Sequence, residues 1–322
     1  MPRETRETLD PQGMLAGTTC LVTGGAGFVG SHVADRLLEQ GYEVLVVDDL
    51  SAGVRANVPA DADFAELDIR DRGKLSWAFD AFKPNVVCHL AAQASVTFSV
   101  REPEHDLEVN VAGTLNVCEC ARRAGASVVF ASTGGALYGD GVALPSDEST
   151  PTRPLSPYGA SKLAAEAYLT TWARLYDAPN VVLRLGNVYG PRQQPHGEAG
   201  VVAIFSNKLA NGEQPTVFGD GRQTRDYVYV GDVARAFVLA AEAGRAGTWN
   251  VGTAVETDVL ELLALLQRAA GTELEPRFEP LRPGELMRSA LDPGAIGQEL
   301  GWRAEVAVDD GIAETYGTFA PA

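Results

Sequence analysis

From Thr18 to about residue 190 the chain alternates short, almost continuously apolar runs with longer stretches of helical period. TTCLVTGG, YEVLVVDDL, FAELDIRD, PNVVCHLAA, ASVVFAST and PNVVLRLGNVYG read as six strands. Between them, FVGSHVADRLLEQG, RGKLSWAFDAF, DLEVNVAGTLNVCECARRAG and SPYGASKLAAEAYLTTWARLY read as helices. Strands that are apolar on both faces, each followed by a helix, predict an α/β fold with a doubly wound parallel sheet covered on both sides. Beyond residue 190 the pattern loosens. Gly, Pro and charged residues cluster in GPRQQPHGEAG and LRPGELMRS, while VVAIFSNKLANG and VLELLALLQRAAG keep helical period. The expected organisation is a loose polar tail over 1–16, a sheet domain over 17–185, and a smaller, loop-rich ligand-binding domain over 186–322 with some segments returning to the sheet.

Composition changes this picture only at the margins. A chain of 322 residues, 45% hydrophobic and 21% charged, can bury a sizeable core. Its net charge of −17 argues against a nucleic-acid surface or adhesion to an anionic membrane. A ligand carrying phosphate therefore needs local help from arginines or helix N-termini. The start of the chain has no apolar signal core, and no run reaches membrane-spanning length. Cys20, Cys88, Cys118 and Cys120 form no C-x-x-C and read as reduced core thiols of a cytoplasmic protein. His32, His89, His105 and His196 lack metal-ligand spacing, so no metal is expected.

TGGAGFVG places Gly24, Gly27 and Gly30 between the first strand and the first helix. Glycines there permit a tight turn and let backbone approach a pyrophosphate, which then faces a helix N-terminus. The next strand ends in Asp48, 18 residues past Gly30. A carboxylate at that point accepts from the adenosine ribose hydroxyls and repels a 2′-phosphate, which favours NAD over NADP. The sheet is thus expected to be of Rossmann type. Asp68, at the end of the third strand, is either an adenine ligand or a cap.

SPYGASK sets Tyr158 four residues before Lys162, one turn apart on a helix face. The chain has only four lysines: Lys74, Lys83, Lys162 and Lys208. ASTGG brings Ser132 and Thr133 to the carboxyl end of the fifth strand, where ligands bind in such sheets. A phenol titrates near ~10 in water, and an ammonium plus a positive nicotinamide ring favour its phenolate. Such a phenolate takes a proton from a substrate alcohol while hydride leaves for NAD. A hydroxyl of Thr133 or Ser132 holds the alcohol oxygen.

Together with HLAAQASV, NVAGTLNV, LRLGNVYGPRQ, FGDGRQTRDYVYVGDV, WNVGT and LRPGE, these motifs resemble the extended short-chain dehydrogenase/reductase family over nearly the whole chain after residue 17. Within it, NVYGPRQ, HGEAGVVAIF and RPGE are most similar to the UDP-glucose (UDP-galactose) 4-epimerases of the nucleotide-sugar branch. The resemblance implies an NAD-dependent isomerase that inverts C4 of a UDP-hexose through a 4-keto sugar. Tyr158 would be the base, Lys162 would hold the nicotinamide ribose and lower the Tyr158 pKa, and Thr133, with Ser132 as near alternative, would hold the sugar oxygen. Cofactor contacts are implied for Gly24, Gly27, Phe28, Val29 and Gly30, and for Asp48, Asp49, Leu50, Ser51 and Gly53. Further contacts fall on Asp68, Ile69, Leu90, Ala91, Ala92, Gln93, Asn110, Tyr158, Lys162, Leu185 and Val188. Substrate contacts are implied for Gln93, Ser95, Thr133, Gly134, Gly135 and Val201. Asn187 and Arg225 would reach the diphosphate, Phe218 the pyrimidine, and Arg282 and Glu285 the diphosphate and ribose. Ser289 would gate the 2-substituent. From the residues alone, Phe218 also suits a core position and Arg225 a surface ion pair.

Sister enzymes begin with the same step. The nucleotide-sugar 4,6-dehydratases carry Asp-Glu after the Thr, where this chain has Gly134 and Gly135. UDP-glucuronate 4-epimerases and decarboxylases stay open, as does, remotely, a non-catalytic NAD(H)-binding regulator. The long helices holding Val109–Arg123 and Tyr158–Tyr176 predict a homodimer, because in this family such a pair builds the interface.

Overall fold

The computed structural model describes residues 17–195, 200–281 and 286–320. Six strands follow the apolar runs: β1 Thr19–Thr23, β2 Glu43–Asp48, β3 Asp63–Glu66, β4 Val86–His89, β5 Ser127–Thr133 and β6 Val181–Leu185. With the strand Gly247–Val251 they form a parallel seven-stranded sheet, in the order β3-β2-β1-β4-β5-β6 and then Gly247–Val251. The strand order reverses between β1 and β4, so the loops leaving those two strands open a crevice at their carboxyl ends. Residue alternation explains the two covered faces. Cys20, Val22, Val44, Val46 and Cys88 enter one apolar layer with Val33, Leu37, Phe237 and Trp249. Leu21, Leu45, Val47 and Val87 enter the other with Leu75, Phe79, Val117 and Leu169. A third apolar cluster, around Tyr189, Phe205, Val217, Leu262 and Ile312, lies in the C-terminal part.

Two elements differ from the sequence reading. PNVVLRLGNVYG is two strands rather than one. After β6 the chain turns at Gly186, whose N–H still donates to Val251 O (2.9 Å), and Asn187–Tyr189 pairs instead with Tyr227–Tyr229. A Cβ at Gly186 would stand 2.9 Å from Asp226 O, so only glycine lets that second strand come so close. The helix expected over DLEVNVAGTLNVCECARRAG starts earlier, at Pro103, and carries a wide i→i+5 turn over Glu108–Gly113 before continuing as Thr114–Ala124. Such an inserted turn often marks a functional position, and here it carries Asn110.

The glycine loop is the tightest point of the fold. Gly24 has φ +72, and its N–H donates to Val47 O at 2.8 Å, which ties the loop to β2. A Cβ on Gly30 would sit 2.1 Å from Gly24 O. Gly30→Ala therefore has to move backbone rather than a side-chain tip. We expect it to destabilise the fold by about 2 kcal/mol or more, read as a lower urea midpoint at unchanged slope; an unchanged midpoint would show that the loop yields freely.

Candidate active site

The helix Phe28–Glu39 begins at Gly27 with no side-chain cap and no acidic residue in its first turn. Its free N–H groups and the bare glycine backbone fit a pyrophosphate. Asp48 closes the loop from the other side. Its carboxylate accepts from Ala26 N–H (3.0 Å) and Leu50 N–H (2.9 Å) and is 7% exposed. Burial pushes its pKa up, against those two donors. Leu50 takes φ +57 just after it, Ser51 turns onto Asp49, and a Cβ on Gly53 would strike Asp48 Oδ1 at 2.6 Å. Phe28 and Val29 are partly buried at the start of the helix. Asp68 lies just past β3 and is bound by Arg70 at 2.6 Å, which lowers its pKa. Ile69 beside it is buried under Gly113. Leu90, Ala91 and Ala92 leave β4 directly opposite Gly24. A dinucleotide with free ribose hydroxyls suits this cradle of bare backbone, helix N-terminus and carboxylate.

The long helix Pro157–Tyr176 is capped by Ser156, whose Oγ accepts from Gly159 N–H (3.2 Å). It sets Tyr158 and Lys162 against the end of β5. Burial holds the Tyr158 phenol up at about 12, with Asp106 also opposing its ionisation, while the nearby Thr133 side chain favours it. Lys162 is 3% exposed. Its Nζ donates to Ala131 O (2.9 Å) and stands 4.8 Å from the centre of the Phe130 ring. Burial lowers its pKa to about 8, against the pull of Asp106 and Glu166. Ser132 points to the opposite side of the strand from Thr133, and its Oγ donates to Glu166 Oε1 at 2.5 Å.

Behind this pair lies a buried polar rod. The Thr114 hydroxyl donates to Asn110 O (2.7 Å), so it accepts from His89 Nε2–H (2.9 Å). His89 Nδ1 then accepts from the Thr23 hydroxyl (2.7 Å), which itself accepts Ala91 N–H (3.3 Å). Burial drives the His89 pKa down to about 3, so this ring is neutral. Asn110 donates to Gln93 O, Asp106 Oδ1 and Ser161 Oγ, while Gln93 N–H donates back to its Oδ1. Gln93 also holds Ser95.

Farther along, Asn187, Val201, Phe218 and Arg225 line one cavity of about 630 Å³, with Lys208, Arg277 and Glu279 on its wall. Leu185 ends β6, and Val188 lies in the adjacent short strand. Ser289 is buried beside Leu291, which packs on Gly134; Gly135 faces Asn187. Arg282 and Glu285 lie outside the described residues, as does His196. Among the described residues no cluster of three or more potential metal ligands occurs, and no helix is long and apolar enough to cross a membrane.

Residues 20–252 match the model of the NAD dependent epimerase/dehydratase family. The chain belongs to that family. It is 48% identical to UDP-glucose 4-epimerase of Mycolicibacterium smegmatis, over 93% of this chain and 97% of the relative. A crystal structure of UDP-glucose 4-epimerase with UDP-glucose from Thermotoga maritima superposes with a TM-score of 0.92 at 46% identity, covering 94% of this chain and 98% of that one. The Thermus thermophilus UDP-glucose 4-epimerase complex with NAD gives 0.89 at 46% identity, covering 94% and 99%.

Family membership rests on motifs, but the geometry adds residues that motif reading passed over. Asp106, Glu166 and Arg184 are all buried; the two carboxylates favour the charged form of Lys162, and Arg184 is paired with Glu166 at 2.7 Å. Asp226, 0% exposed, accepts from the backbone N–H groups of Thr253, Ala254 and Leu291 and from the Thr253 hydroxyl. It thereby joins the strand end beside Arg225 to the segment carrying Ser289. Arg184 left a signal, a cation inside the apolar run VVLRL, which has to find a partner. Asp226 left none that separates it from a surface acid.

Proposed function

We propose that the protein is a UDP-hexose 4-epimerase that interconverts UDP-glucose and UDP-galactose with NAD held throughout. The observation that carries this reading is the Tyr158–Thr133–Lys162 grouping at the end of β5, next to a Gly134–Gly135 pair. A Cβ on Gly134 would lie 2.4 Å from Leu291 Cδ1, so an acid there requires Leu291 to move. The Asp-Glu pair that a 4,6-dehydratase uses to eliminate water is thus absent at this point, where the chain has Gly134 and Gly135.

Bound NAD supplies a store that takes the C4 hydride and gives it back, so no net oxidation occurs. The chain's own part is proton transfer and placement. Burial keeps the proton on Tyr158, so the phenol ionises only under positive charge. Lys162 is the fixed cation nearest it along the helix. Tyr158 then takes the proton of the sugar 4-hydroxyl and later returns it. Thr133 fixes the oxygen being deprotonated. Between the two transfers the planar 4-keto sugar turns its other face to the cofactor, which needs loose sugar contacts and a firmly held nucleotide. Arg225, Asn187 and the Phe218 ring, on one cavity wall, suit the diphosphate and a stacked pyrimidine.

The purified protein, given UDP-glucose without added cofactor, is expected to form UDP-galactose, resolved by NMR. Tyr158→Phe should lower turnover about 10²-fold or more with NAD content unchanged. A 4-keto-6-deoxy product, or loss of carbon dioxide from a uronate, overturns the epimerase assignment.

Ser289 is a small residue, of the size that would accommodate an N-acetyl group at C2. Ser289→Tyr should reduce UDP-N-acetylglucosamine turnover relative to UDP-glucose by about tenfold or more. An unchanged ratio removes Ser289 from the gate.

Tyr168, Leu175 and Tyr176 on the long helix, with Val100 and Leu107 on the neighbouring helices, are exposed. A second copy of the chain covers that face most simply. Light scattering at micromolar concentration should give about twice the 34.1 kDa chain mass; a monomer mass would refute the dimer.

A further inference from the structure

Around the short strand Thr224–Arg225 the side chains alternate between two sides. Gln223 and Arg225 line the cavity. Arg222, Thr224 and Asp226 turn the other way, onto the segment 253–258, whose Thr257 and Asp258 pair antiparallel with Arg225 and Thr224. Arg222 Nη1 donates to Asp258 Oδ2 (2.9 Å), the Thr224 hydroxyl donates to Glu256 Oε2 (2.5 Å), and Asp226 accepts from the N–H groups of Thr253 (2.8 Å) and Ala254 (3.1 Å). Two of these anchors reach on to the segment that carries Ser289. Asp226 does so through Leu291 N–H (3.0 Å). Glu256 does so through a second side chain: Arg288 Nε donates to its Oε2 (2.8 Å) and Nη2 to its Oε1 (2.5 Å), a fork closed on both oxygens.

The peptide of Thr224 is where these contacts converge. Its N–H donates to Met287 O (2.9 Å), and its carbonyl accepts from Arg225 Nη1 (2.8 Å). The residue that Glu256 holds by its hydroxyl therefore holds the Arg225 guanidinium by its carbonyl. Glu256 and Arg288 themselves lie behind the cavity wall rather than on it. We infer that Glu256 is a positioning residue for nucleotide binding: its carboxylate, shared by Thr224 and Arg288, fixes the peptide that aims Arg225 and fastens the Ser289 segment to it.

The Arg288 side chain is 64% exposed and that of Glu256 23%. An isolated pair so open to water contributes little. Here the Thr224 hydroxyl already orders the carboxylate, so the guanidinium closes on a fixed partner and less side-chain freedom is lost. Because the pair acts on ligand placement and not on proton transfer, its loss falls on binding and leaves the chemical step alone.

The inference takes its ligand from the epimerase reading, so the probe is UDP, titrated by calorimetry into the full chain loaded with NAD. Glu256→Ala and Arg288→Gln are each expected to raise the UDP Kd about fivefold, and Thr224→Val about threefold. KM for UDP-glucose should rise with the Kd, while kcat stays within about twofold and bound NAD is unchanged. The charge-reversed double variant Glu256→Arg/Arg288→Glu re-forms the pair in the opposite sense and should return the Kd to within about twofold of wild type, whereas two independent defects would add. A Kd unchanged in the single variants, a double variant as weak as its two reversals added together, or a loss of bound NAD alongside UDP overturns the inference. Wild type that binds UDP but does not invert C4 of UDP-glucose defeats the epimerase assignment, while the calorimetry still decides the role of Glu256. Wild type that binds no UDP removes both.

Discussion

The ammonium of Lys162 lies almost out of reach of water, bonded to the Ala131 carbonyl and seated over the Phe130 ring. A lone charge there would cost several kcal/mol in lost hydration and would neutralise instead. Much of the surrounding architecture follows from avoiding that. Asp106 and Glu166 supply opposing charge on either side. Each carboxylate needs its own donors, and these come from different elements: Gln93 after β4, Asn110 from the wide helical turn, Arg184 from β6 and Ser132 from β5. The wide turn then has a physical reason. It turns Asn110 inward, where one amide serves Gln93, Asp106 and Ser161 together.

A second hub operates where the sugar would sit. Asp226 is a buried carboxylate satisfied almost wholly by backbone N–H groups. It holds the strand beside Arg225, the loop after Gly247–Val251 and the Leu291 segment in one arrangement. Leu291 closes on Gly134, so a side chain at the position following Thr133 requires Leu291 to shift. The two hubs meet through Asn250 and Ser146. The end of β5 and the segment carrying Ser289 are thus parts of one hydrogen-bonded framework, although they lie far apart in sequence.

The sheet was readable because strands buried on both faces leave continuous apolar runs, and the helices between them leave a different period. The glycine loop and Tyr158–Lys162 were readable because close backbone approach and one-turn spacing are local properties. What failed to show was tertiary. VVLRLGNVY is one apolar run, and only the approach of Asp226 O to Gly186 divides it between two sheets. Alternation says that Ser132 and Thr133 face opposite sides of β5 but not which faces the crevice; Glu166, 34 residues on, takes Ser132. Glu166 itself is visible as an acid four residues past Lys162, yet that spacing is ordinary on a solvent-facing helix. Its burial becomes readable only with Arg184, the cation out of place in β6.

Charge adds a last constraint. A chain of net charge −17 repels an anionic substrate at long range, where salt screens the effect beyond about 8–10 Å. Attraction has to be local. The cavity wall carries Lys208, Arg225 and Arg277, with Arg277 paired with Glu279 at 3.1 Å. The glycine loop offers N–H groups without any side-chain charge. Phosphate groups would therefore be met by dipoles at the glycine loop and by few cations at the cavity, inside low-dielectric walls where each contact counts for more than at the surface. A nucleotide anchored in this way leaves the sugar few charged contacts of its own, and weak hold on the sugar is what a reaction that must present both faces of one carbon requires.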